Sequence, residues 1–114
     1  MKQKKSLRNV KKNNEKEFKV TDKKLLRALT VQFWIQSNPV KGAALLAAIP
    51  LATGAAVSTA PIAGVIGYAL TIGSVTISVT EIIAIGFIII GLTAVLKGQK
   101  IKKIDSKNGI IEFF

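Results

Sequence analysis

Apolar positions dominate residues 42–96, where the only charged side chain is Glu81. Two helical spans fit that stretch, over residues 43–66 and 72–96, with a turn at 67–71. At about 1.5 Å per residue, each is long enough for a hydrocarbon layer of roughly 30 Å. Ahead of them, Leu25, Leu26, Leu29, Phe33 and Gln36 recur at helical spacing, with Trp34 nearby. Lys23, Lys24 and Arg27 fall mostly on the other side of that helix, which covers residues 21–38. Thr21 is its expected N-cap, and Asp22 suits the first turn. Asn38–Pro39 ends it, because a residue before proline disfavours the helical region. Residues 1–20 show no periodicity and read as a solvated basic tail.

The expected fold is therefore an all-α membrane protein. It is a two-span transmembrane helical hairpin preceded by the basic tail and an amphipathic interfacial helix, with a second basic tail at 97–114. One signal competes. Residues 74–80 alternate polar and apolar side chains as a half-buried strand does. A lone strand leaves its backbone unsatisfied in lipid, so helix is the membrane reading. Away from lipid, this stretch is the first strand to assign. In the last tail, Asn108–Gly109 is a turn signal before Ile110, Ile111, Phe113 and Phe114. A two-stranded hairpin is marginal alone, so this end is expected to dock on lipid or a partner.

Charge sharpens the topology. The chain has 17 Lys/Arg against 6 Asp/Glu, and every Lys and Arg lies outside residues 42–96. Basic flanks on both sides favour two cytoplasmic termini in an inner (cytoplasmic) membrane. Anionic headgroups are the first expected partner, at ~1 kcal/mol per surface lysine. A Lys-rich tail also binds nucleic-acid phosphates through counterion release. Specific readout wants more than Arg8, Arg27 and Phe18 supply, so nucleic acid ranks second, beside other membrane-complex subunits. The chain has no Cys and no His. That excludes disulfides, thiol nucleophiles, Cys/His zinc sites and imidazole catalysis. No metal, cofactor or enzymatic activity is expected.

Two sets of residues carry the functional expectation. Ala44, Ala48, Ala52, Ala56, Ala60 and Gly64 recur every fourth position, a small-residue ridge for close helix packing. Pro50 and Pro61 should kink the span that holds them. In the second span, Thr71, Ser74, Ser78 and Glu81 fall on one helical face. An ionised Glu81 in lipid costs about 2.5–3.5 kcal/mol, so it should face protein or water, be protonated, or be paired. Lys23, Lys24, Arg27 and Trp34 are the expected lipid-interface residues. The resulting expectation is a non-enzymatic, self-associating subunit of a membrane complex, of secretion, conjugation or virion type. The alternative is a holin-like pore with Glu81 in a polar lumen.

Overall fold

Asp22 starts the first helix. Its carboxylate accepts from the N–H groups of Lys24 (2.9 Å) and Leu25 (3.2 Å), two donors that a helix start leaves unpaired. The structure is a computed structural model and describes residues 17–53 and 58–114. Helix α1 (Lys23–Ser37) stops at Asn38, and Pro39 takes the first position of α2 (Pro39–Ala52). Proline is tolerated there because that N–H has no helical partner anyway. Next come α3 (Ala60–Ile66), the hairpin β2 (Ala69–Ile72) and β3 (Val75–Ser78), then α4 (Val79–Ala84) and α5 (Gly86–Leu96). A second hairpin, β4 (Ile101–Asp105) and β5 (Ile110–Phe113), closes the described chain. Strand β1 (Glu17–Lys19) lies antiparallel on β5, giving a sheet of order β1-β5-β4.

Helix α1 is the axis of the molecule because it has two apolar faces. Ala28, Val31 and Ile35 join the main core with Leu45, Ile49, Ile62, Ile77, Ile82 and Ile89. Leu29 joins Ile101 and Ile111 in a smaller core beneath the three-stranded sheet. At about 100° per residue, these faces point roughly 140° apart. Two glycines let the helices close on one another. A Cβ on Gly42 would lie 2.7 Å from the Ile35 carbonyl oxygen, and one on Gly86 would lie 2.6 Å from Ile49 Cγ2.

The membrane hairpin is not formed. Among the described residues no helix is long and apolar enough to cross a membrane. The expected span 43–66 is divided: α2 has 14 residues, a rise of ~21 Å against the ~30 Å required, and α3 has 7. Pro61 lies in the first turn of α3 and does not kink a longer helix, whereas Pro50 does lie inside α2. The expected span 72–96 opens as a strand. Ile72 pairs with Val75 across a Gly73–Ser74 turn, and Gly73 has φ +60°. Glycine suits the first position of such a two-residue turn. The alternation in 74–80 therefore prevails over the hydropathy. β-Branched Val75, Thr76 and Ile77 fit a pleated strand, and pairing with β2 supplies the partner that lipid would not. The fold is mixed α/β, and an integral inner-membrane location with both termini cytoplasmic loses its basis. The apolar faces of helix α1 are packed within its own protein, which removes the basis for reading them as an amphipathic interfacial helix. The last tail forms β4 and β5, with β1 as the third strand that a lone hairpin lacks.

Candidate functional site

The polar stripe expected on one helix is spread over three kinds of structure. Thr71 is exposed on β2, Ser74 sits in the hairpin turn, and Ser78 ends β3. Ser78 then caps α4. Its hydroxyl accepts from the Glu81 N–H (3.2 Å), and the Glu81 carboxylate accepts from the Ser78 N–H (3.3 Å). This is a reciprocal capping box, and the Ser-x-x-Glu spacing is its sequence signal. The other Glu81 oxygen meets Arg27 of α1 at 2.9 Å, with both side chains near two-fifths exposed. Glu81 is thus a helix-start residue in a surface ion pair. Lys23 and Lys24 are exposed on the first turn of α1, while Trp34 is partly buried against the main core.

The alanine ridge also divides. A four-residue step overshoots a helical turn by about 40°, so a ridge at that spacing winds around its helix. On α2, Ala44 is exposed while Ala48 and Ala52 are buried. Ala60 and Gly64 are exposed on α3. Ala56 lies outside the described residues.

Helix α2 is apolar on both sides. Its inner face carries Gly42, Leu45, Ala48, Ile49 and Ala52. Its outer face carries Val40, Ala43, Ala44, Ala47, Pro50 and Leu51, all exposed. These six positions fall on one side at about 100° per residue. Helix α5 repeats the arrangement: Gly86 and Ile89 are buried, while Phe87, Gly91, Ala94 and Val95 form an exposed stripe. Val40 is 84% exposed and Phe87 72%. Helices apolar all round are ordinarily covered all round.

Three polar side chains tie α1 to α5 and β4, of which the sequence pattern singled out Gln36 for its spacing alone and not Gln32 or Thr93. The Thr93 hydroxyl donates to Gln32 Oε1 (3.0 Å), with the Ile89 carbonyl as a competing acceptor at the same distance. Gln36 accepts from the Ile101 N–H (2.8 Å) and donates to the Gln99 carbonyl (3.0 Å). The available signal is two glutamines four residues apart within the apolar run 31–35 and its edge. No buried side-chain polar atom among the described residues lacks a partner. No group of three or more His, Cys, Asp or Glu gathers among them as a metal site would need. No family model matches the chain, and no curated protein or solved structure matches it significantly.

Proposed function

We propose that the protein is a non-enzymatic assembly subunit whose copies associate through the outer stripes of α2 and α5. One observation carries the reading: large apolar side chains stand exposed on a stretch with no charge except Glu81. Apolar exposure of this kind marks contact sites. The charge distribution favours a second copy as the occupant. A net charge of +11 would hold evenly charged copies apart. Here the cations lie outside residues 42–96, so stripe-to-stripe contact brings uncharged surfaces together. Ala43, Ala44, Ala47 and Gly91 add little bulk, and paired helices can approach until Cα–H groups meet carbonyls. A twofold arrangement uses the same stripe on each copy.

Sedimentation equilibrium over a dilution series tests the proposal. The natural chain should show a reversible dimer or larger species. Ala47→Glu and Val95→Glu, both at exposed positions, should shift it to monomer while leaving the circular dichroism unchanged. A natural chain that stays monomeric at every concentration rejects the proposal.

A further inference from the structure

Two hairpin turns and one face of α1 enclose a groove that the association stripes do not use. At one end, Lys23, Leu26, Arg27 and Thr30 face Val75 and Ser106 around a space of about 280 Å³. Thr30, Val75 and Ser106 also line an adjoining space of about 340 Å³, which continues past Phe33 between residues 72–75 and 103–107. The groove is therefore continuous. Its α1 wall, from Lys23 to Phe33, is ~15 Å long. The floor is apolar, with Leu26, Phe33, Ile72 and Val75. The rim is basic, with Lys23 and Arg27 on one side and Lys103 and Lys107 on the other. Among the described residues, Asp105 is the one acid lining it. That carboxylate is already held in its own turn by the N–H groups of Lys107 and Asn108 and by the Asn108 side-chain amide.

We propose that this groove binds an extended acidic peptide segment of a partner protein, anchored by an apolar side chain. Arg27 is already paired with Glu81 (2.9 Å), so Lys23 on the α1 side and Lys103 and Lys107 on the hairpin side are the cations that match carboxylates on both sides of the trough. The length suits four or five extended residues at about 3.3 Å each. The apolar floor argues against a bare phosphate chain, which would leave Leu26, Phe33 and Val75 uncovered. Residues 1–16 of this chain carry seven Lys/Arg against Glu15, a charge of the wrong sign for a basic rim.

Fluorescence anisotropy with the full chain and a labelled hexapeptide of alternating Glu and Leu tests this. Saturable binding should weaken by about tenfold in the double variant Lys23→Glu, Lys107→Glu, since both lysines line the rim. The charge-matched double variant Lys41→Glu, Lys100→Glu lies outside the groove and should change binding less than about twofold. All four lysines are exposed, so the fold is not at stake. Replacing Leu by Ser in the peptide should cost at least about threefold, through the lost apolar burial. Equal weakening by both double variants would overturn the proposal, as would unchanged binding of the Glu/Ser peptide. Binding to phosphatidylglycerol vesicles but not to the peptide would also overturn it, in favour of a lipid surface.

Discussion

Helices α1 and α2 have 15 and 14 residues and meet at Asn38, yet they are covered in opposite senses. Helix α1 carries Lys23, Lys24, Arg27, Thr30, Gln32 and Gln36, and all five residues of its middle stretch, 28–32, are buried. Helix α2 has one charged residue, Lys41, and leaves Val40 and Leu51 mostly exposed. Hydropathy alone would rank them the other way. What decides is how many elements pack on each helix and whether its polar groups find partners. Helix α1 has a sheet on one side and helices on the other, and its glutamines are bonded. Among the described residues, nothing covers the outer stripe of α2.

The sharpest way to break this contrast is to truncate α2 on each side. Ile49 is fully buried against Gly86, so Ile49→Ala should cost about 2–5 kcal/mol in transfer and cavity terms. Leu51 is 69% exposed, and Leu51→Ala should change monomer stability by no more than about 0.5 kcal/mol. Urea unfolding at concentrations below association measures both. Equal losses would show that the outer face is already covered and would remove the ground for the assembly proposal.

Part of this contrast was legible in the sequence. Helix α1 announces itself through apolar spacing and the Pro39 stop, although the capping residue is Asp22 and not Thr21. The alternation at 74–80 marks β3, and Asn108–Gly109 marks the last turn. The membrane reading fails because a lack of charge is not by itself a preference for hydrocarbon. Residues 42–96 hold Ala, Gly, Ser and Thr between their Ile and Leu, and Thr53 bonds back to the Ile49 carbonyl (3.0 Å) where α2 ends. Glu81 looked isolated because Arg27 is remote in sequence. The Gln36–Ile101 bond spans 65 residues and no local pattern encodes it.

A smaller effect sharpens the contrast from the α1 side. Gln36→Leu keeps most of the volume but takes the acceptor from the partly buried Ile101 N–H. An orphaned buried donor costs about 1–3 kcal/mol, so the variant should unfold at lower urea. Amide exchange should speed first at Ile101 and along β4. Gln36→Glu keeps an acceptor oxygen and should retain most of that protection. If β4 exchange is unchanged in Gln36→Leu, the helix–sheet tie is dispensable and hydrophobic contact alone covers that side of α1.

The smallest expected effect lies at the turn that frames both the sheet over α1 and the basic groove. The Asn108 side-chain amide, and then its backbone N–H, hold the Asp105 carboxyl below the ordinary aspartate value of 3.8. These donors favour the ionised form, so the folded value lies beneath the unfolded one. The resulting contribution is therefore fully present above the unfolded value and lost as pH falls through the folded one. Acidification below about pH 4 should loosen residues 105–109 and β5 before the α2–α5 side responds, since that side holds no carboxylate but Glu81. Amide exchange across an acid series measures the order. In Asp105→Asn, which cannot ionise, this early loosening should disappear. If both halves loosen together in the natural chain, the sheet and the helices share one cooperative unit, and the α1–α2 contrast is one of coverage and not of local stability.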